Sequence, residues 1–129
     1  MKQKIAAVLL GLGSLMVNAS TFAMSQQVFQ SGPSADWELP VNEPLVISNM
    51  FLWTVNAQCT IISKEEDNYI SFKVLRKSGS INSISLSTGD SLSLTLHPRE
   101  VIRITAASGG KVELLNNGSA TVVARCSTT

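Results

Sequence analysis

After Pro44, apolar and polar residues alternate along short runs that are separated by turn-forming residues. Successive side chains of a β-strand point to opposite faces of a sheet, so each run predicts a strand with one buried face. The longest run is 51–62, in which Trp53 and Cys59 are in phase and are both expected in the core. The sequence contains no window with a sustained helical period. An all-β chain is therefore predicted.

The other runs predict about six further strands, with turns at segments rich in glycine, asparagine and proline. Residues 83–95 predict a β-hairpin around Thr88-Gly89-Asp90, and Asn116-Asn117-Gly118 is the strongest hairpin signal in the chain. About seven strands within residues 45–129 predict a small antiparallel β-sandwich or barrel.

Residues 1–23 have the pattern of a secretory signal peptide. Lys2 and Lys4 precede an uncharged apolar run of 13 residues, 5–17, which is shorter than the ~20 residues that a transmembrane helix needs. Cleavage is expected after Ala23, with Ala19 as the alternative. We therefore expect an exported protein, periplasmic or extracellular, with no integral membrane segment after cleavage.

Residues 24–44 are polar and contain three of the four prolines in the chain. Proline fixes its own backbone angle and restricts the preceding residue, so this segment predicts an extended N-terminal arm in front of a domain that spans 45–129. Trp37 and Leu39 are the residues expected to hold the arm against that domain. They are also the candidate contacts for a partner, because Trp37 is the aromatic residue expected at the surface.

Both cysteines are in phase with the apolar residues of their predicted strands. In an exported protein, Cys59 and Cys126 are therefore predicted to form a disulfide. Closing the loop of 66 residues between them is expected to stabilise the fold by about 4 kcal/mol. The resemblance to immunoglobulin domains is limited to architecture, because Trp53 precedes the first cysteine and Ala124 stands where a tyrosine corner would be.

The composition argues against several functions. Without residues 1–23, the chain has eight basic residues (ten less Lys2 and Lys4) and nine acidic ones, a balance that does not favour nucleic-acid binding. His97 is the only histidine and stands beside Pro98, and no nucleophile elbow is present, so no catalytic residue is assigned. The acidic run 65–67 lacks the spacing of a calcium loop, and too few ligands remain for zinc. No metal or cofactor is expected.

These features favour a non-enzymatic exported domain that binds another envelope or secreted protein. Its expected role is that of a small accessory or structural component in a bacterial envelope or secretion assembly.

An alternative comes from Ser108-Gly109-Gly110-Lys111, which is similar to the Ser-Gly-x-Lys loop of the small periplasmic inhibitors of c-type lysozyme. The next residue is Val112 where that family has tyrosine, and the family's Trp-x-Lys-Gly segment is absent. The resemblance implies a secreted hydrolase inhibitor in which Ser108 and Lys111 enter the target enzyme. A carbohydrate-binding module is a further alternative, because Trp37 and the hydroxyl-rich segment 78–95 are able to contact a sugar.

Overall fold

Strands are the regular secondary structure of the residues that the computed structural model describes, which are 25–29 and 32–128. The predicted signal peptide, residues 1–23, lies outside the described residues. The described part of the chain forms eleven strands, more than the seven predicted, because the N-terminal segment and residues 45–48 and 78–81 also pair. The strands are β1 Ser25–Val28, β2 Gly32–Leu39, β3 Leu45–Ser48, β4 Val55–Ile62, β5 Asn68–Arg76, β6 Ser78–Ile81, β7 Ile84–Ser87, β8 Ser91–Leu96, β9 Val101–Ala106, β10 Lys111–Asn116 and β11 Val122–Thr128.

The strands form two sheets that pack into a β-sandwich, which decides between the sandwich and the barrel. One sheet has six strands in the order β2-β11-β4-β9-β6-β7, and the other has five in the order β1-β3-β10-β5-β8. The strand pairs are antiparallel except for β1, which runs parallel to β3. The inner faces supply one continuous hydrophobic core.

Most connections between consecutive strands cross from one sheet to the other. Both predicted hairpins are such crossings: residues 88–90 join β7 to β8, and residues 117–121 join β10 to β11, strands that lie in different sheets. These two hairpin predictions are wrong, because apolar alternation is the same whichever sheet a strand joins. A two-residue hairpin instead joins β6 to β7, with Asn82 and Ser83 at φ 49° and 71°. Positive φ at both central residues is the requirement of a type I′ turn.

The predicted N-terminal arm is extended, but it contributes strands to both sheets. β1 pairs with β3, and β2 pairs with the final strand β11. Trp37 and Leu39 point into the core, with 5% and 1% of their surface exposed, and Trp37 meets the ring of Phe29 edge-on at 5.6 Å between centroids. The two side chains hold the segment down, as predicted. Neither is free to contact a partner, because the core covers both.

The predicted disulfide between Cys59 and Cys126 is present. The two residues are directly opposite each other on the neighbouring strands β4 and β11, with 4.0 Å between their Cα atoms. The bond therefore joins strands of one sheet, in contrast to the bond between sheets that characterises immunoglobulin domains.

Candidate functional site

The loops lie at two opposite ends of the sandwich, which differ in polarity and charge. The strand registers place the following loops at one end or the other. We name the ends after their most prominent residues. The apolar end consists of residues 49–54, 77, 88–90 and 107–110, and the acidic end consists of residues 40–44, 63–67, 97–100 and 117–121.

The apolar end presents the segment Met50-Phe51-Leu52-Trp53. Leu52 is 91% exposed, Met50 is 71% exposed and Trp53 is 57% exposed, whereas Phe51 packs against the core. The rings of Phe51 and Trp53 stack with 4.7 Å between their centroids. The prediction that Trp53 lies in the core is wrong, because β4 begins at Val55 and the alternation does not continue through the loop.

Asn49 holds this apolar loop in place. Its side chain is fully buried, and Nδ2 lies within hydrogen-bond distance of three carbonyl oxygens: those of Trp53 (2.9 Å), Ala106 (2.9 Å) and Ala107 (3.1 Å). Its Oδ1 accepts a hydrogen bond from the backbone N–H of Phe51 at 2.8 Å. The loop is thus fastened at both ends by one side chain, and its exposed residues stand on an ordered base.

The turn at 108–110 lies directly against the apolar loop. Ser108 Oγ donates a hydrogen bond to the carbonyl of Phe51 at 2.8 Å, and the backbone of Asn49 bonds to both Gly109 and Gly110. The hydroxyl of Ser108 is therefore engaged within the fold. Lys111 is half-buried and lies in β10, where it pairs with Ser48 of β3, so it does not project beside Ser108 from one loop.

Three basic side chains surround the base of the apolar loop. Arg76 Nε donates to the carbonyl of Gly109 at 2.8 Å, Lys111 is the register partner of Arg76, and Lys77 follows Arg76 in the chain. Asp90 is the acid of this end among the described residues, and its Oδ2 accepts a hydrogen bond from the backbone N–H of Ser87 at 2.9 Å. The loops of the apolar end carry one base, Lys77, and one acid, Asp90, and the flanking strand residues Arg76 and Lys111 give this end a positive balance of charge.

The acidic end has the opposite balance, with five acids against two bases in its described loops. The acids are Glu43, Glu65, Glu66, Asp67 and Glu100, and the bases are Lys64 and Arg99. His97 connects two of its turns: Nδ1 lies 2.8 Å from the carbonyl oxygen of Glu66 and 3.2 Å from Oδ1 of Asp67. The hydrogen bond to the Glu66 carbonyl, aided by the carboxylates of Asp67, Glu100 and Glu66, raises the pKa of His97 above its ordinary value. The described residues contain no group of three or more His, Cys, Asp or Glu side chains placed to hold a metal.

A shallow groove of about 420 Å³ crosses the outer face of the six-stranded sheet. Its lining is polar and contains one cation, Arg103, among the described residues. The hydroxyls of Ser80 and Thr105 on its floor are 2.5 Å apart, so they hydrogen-bond to each other. The remaining lining residues are Asn56, Ala57, Gln58, Ser83 and Ser127.

The strand β8 is one edge of the five-stranded sheet, and no strand of the described chain pairs with its outer side. The backbone N–H of Val74 in β5 donates to the carbonyl of Asp90, and the carbonyl of Val74 accepts from the N–H of Gly89, so both groups face the side of β8. The carbonyl of Tyr69 accepts from the N–H of Asn117 on the opposite side of β5. Since backbone direction alternates along a strand, the even-numbered residues of β5 bond to β8. Their partners on β8 are the leucines. The N–H and C=O groups of the intervening Ser91, Ser93 and Thr95 therefore point outward.

Sequence reasoning did not identify the apolar loop or its support by Asn49. A signal for the loop is present, because four consecutive apolar residues interrupt the alternation of a half-buried strand. The role of Asn49 has no such signal, since it depends on carbonyl groups more than fifty residues away.

Comparisons with protein families, with curated proteins and with solved structures find no match to this chain. Across the described residues, no helix has the length and apolar character needed to cross a membrane.

Proposed function

We propose that this chain is a non-enzymatic exported domain that acts by protein–protein binding. Its partner is another envelope or secreted protein, which supplies an extended segment that pairs with the outer side of β8. The observation that carries the proposal is the open edge of β8, six residues long and without charge, proline or register shift.

Open edges are normally protected against pairing by charges, prolines, bulges or short length. The edge strand β2 contains Pro33, Asp36 and Glu38, and the edge strands β1 and β7 have four residues each. The backbone N–H of Ser87 in β7 is also bonded to Asp90. β8 has none of these protections and is the edge best suited to accept another strand.

The side chains of β8 also suit an added strand. Leu92 and Leu94 are half-buried and pack against the core, so a neighbouring strand would cover their exposed parts. On the outer face, the hydroxyl of Ser93 lies 3.3 Å from that of Ser71. Strand addition of this kind derives affinity from main-chain hydrogen bonds and specificity from alternate side chains. An occupant with alternating apolar and polar residues fits this edge.

Export supports the same proposal. The N-terminal pattern of a signal peptide and the Cys59–Cys126 disulfide are both expected of a protein that matures in an oxidising compartment. We place the protein in the periplasm or outside the cell. Fractionation of cells that express the full chain, with N-terminal sequencing of the product, tests this location and cleavage after Ala23.

The binding edge is tested with a pair of substitutions at Ser93. Ser93→Pro removes an outward N–H without removing a backbone bond to β5, whereas Ser93→Ala keeps the N–H. Both variants lose the hydroxyl that faces Ser71, so they differ in the outward N–H. A photo-crosslinker at Thr95 in intact cells identifies the partner, which is then purified. We expect Ser93→Pro to weaken its binding at least about tenfold, the effect of losing one well-placed hydrogen bond, and Ser93→Ala to bind normally.

Amide hydrogen exchange gives an independent measurement on the same complex. Protection of the amides of Ser91, Ser93 and Thr95 on binding is the expected result. Equal affinity of the proline and alanine variants, with these three amides unprotected, would show that the partner binds elsewhere. Cross-links between two copies of this chain alone would replace the proposed partner by self-association.

A further inference from the structure

We propose that the apolar end docks on an anionic lipid surface. Met50, Leu52 and Trp53 enter the interfacial region of the bilayer, and Arg76, Lys77 and Lys111 contact the phosphates of the lipid headgroups. This inference concerns a different surface from the edge of β8 and does not depend on the protein partner proposed above.

The first step is the apolar character of the loop. Three of four consecutive apolar side chains are largely in water, although the fold buries most other large apolar side chains in one core. Contiguous exposed apolar groups on a water-soluble protein mark a contact with a protein or a membrane. Tryptophan in particular favours the boundary between lipid and water, where its ring is in an apolar layer and its N–H stays near the headgroups.

The second step is the order of the loop. The hydrogen bonds of Asn49, the bond from Ser108 to Phe51 and the stacking of Phe51 on Trp53 hold the backbone without any partner. The loop therefore loses little conformational freedom when it enters the interfacial region of a bilayer.

The third step is the position of the charges, which favours lipid over a protein pocket. Lys111 pairs with Ser48, two residues before Met50, and Arg76 pairs with Lys111, so these cations lie behind the apolar tip. A bilayer interface has the matching order, with phosphates outside and acyl chains further in. Anionic lipid attracts each such cation. The acidic end points away from the membrane in this orientation.

The experiment measures co-sedimentation of the purified mature chain with vesicles of phosphatidylcholine alone and of phosphatidylcholine with phosphatidylglycerol in equal parts. We expect binding to the mixed vesicles and much weaker binding to phosphatidylcholine. The double variant Leu52→Ser, Trp53→Ser should lower partitioning at least about tenfold, because a buried leucine or tryptophan contributes that much. Lys77→Gln with Lys111→Gln should lower partitioning by a further factor of about 25, from about fivefold per cation.

A matched control is Ile62→Ser, which removes a 40% exposed apolar side chain next to the acidic end. We expect this variant to bind vesicles normally. Leu52 and Trp53 lie outside the core, so the loop variant should still unfold in one cooperative thermal transition, although Trp53→Ser removes the stacking on Phe51. A loss of binding by such a folded chain is not a loss of fold. Tryptophan emission should shift to shorter wavelength with mixed vesicles, and Trp53→Phe should abolish the shift while the buried Trp37 still emits.

Three outcomes would overturn the inference. One is the absence of binding to mixed vesicles. Another is equal loss of binding in Ile62→Ser and in the loop variant, which would indicate non-specific adsorption. The third is a shift in Trp53 emission caused by a purified protein partner and not by vesicles, which would assign the apolar end to a protein contact.

Discussion

Three buried asparagines illustrate how single side chains fix the conformation of the loops of this sandwich. Asn49 lies at the apolar end, and Asn68 and Asn116 are strand residues that flank the loops of the acidic end. Asn68 Nδ2 donates to the carbonyls of Glu65 and Leu96, and Asn116 Nδ2 donates to those of Leu39 and Ala120. Each amide satisfies backbone groups that would otherwise be buried without a partner, which is costly. A few polar side chains thereby position loops that contribute little to the core.

Asn49→Ala removes the support of the apolar loop. We expect a loss of about 2–3 kcal/mol in the free energy of unfolding, because one buried carbonyl, two partly buried carbonyls and one N–H lose their partner. Trp53 should also become more accessible to a soluble quencher as the loop loosens. Urea unfolding and fluorescence quenching measure the two effects. Asn56→Ala, at an exposed position of β4, is the control and should change neither; equal stability of both variants would contradict the role assigned to Asn49.

His97 makes the stability depend on pH. Its folded-state pKa is raised, first by the hydrogen bond to the Glu66 carbonyl, so the folded chain binds the proton more tightly than the unfolded chain. The resulting stabilisation is complete below the ordinary pKa of 6.5 and is lost as the pH rises through the folded value. The effect should be small, since the ring is half-exposed.

Thermal unfolding of the unmodified chain and of His97→Asn across this range tests the effect. Their difference in melting temperature should shrink as the pH rises through the raised pKa. A difference that stays constant with pH would show that the His97 contacts do not depend on its charge.

At the scale of elements, the β6–β7 hairpin uses a residue that fits its turn poorly. Ser83 has φ 71°, in the left-handed region where a side chain is disfavoured and glycine is not. Asn82 Oδ1 accepts a hydrogen bond from the backbone N–H of Arg103 at 2.9 Å, so the turn is also tied to β9.

Ser83→Gly should therefore stabilise the protein by about 0.5–1 kcal/mol, since relief of strain exceeds the added entropy of the unfolded chain. Ser85→Gly, two residues further on in β7, should instead destabilise it, because glycine weakens a strand interior. Denaturant unfolding of the two variants gives the comparison. A loss of stability in Ser83→Gly would mean that the Ser83 side chain makes a contribution larger than its strain.

At the scale of the whole molecule, the disulfide ties the C-terminal strand to the centre of the six-stranded sheet. β11 lies between β2 and β4, so its attachment also keeps the edge strand β2 in place. Loss of the bond is expected to loosen β11 and β2 together.

The double variant Cys59→Ala, Cys126→Ala should lose about 4 kcal/mol of unfolding free energy, from the greater freedom of the unfolded chain. Urea unfolding of this variant, and of the unmodified chain with and without a reducing agent, measures the loss. The reduced chain and the variant should agree. If the variant were as stable as the oxidised chain, the bond would be a consequence of export without a stabilising role.

Local patterns of residues were sufficient for the fold class, for most strands and for the pairing of the cysteines. Alternation with a period of two specifies which face of a strand is apolar, and a protein with one cysteine pair has one possible disulfide. The same alternation does not specify which sheet a strand joins, so it predicts hairpins at 88–90 and 117–121, where the chain crosses between the sheets.

The two tryptophans show most clearly what local sequence patterns do not determine. Trp53 is in phase with Cys59 in the sequence but lies in a loop, since the distant carbonyls of Ala106 and Ala107 draw Asn49 inward and end the alternation before Val55. Trp37 lies in a proline-rich segment but is buried, because β11 offers that segment a free edge for pairing. Phase along a strand is a property of neighbouring residues. Whether a given tryptophan contacts water depends on partners far along the chain, and these come together in the folded molecule alone.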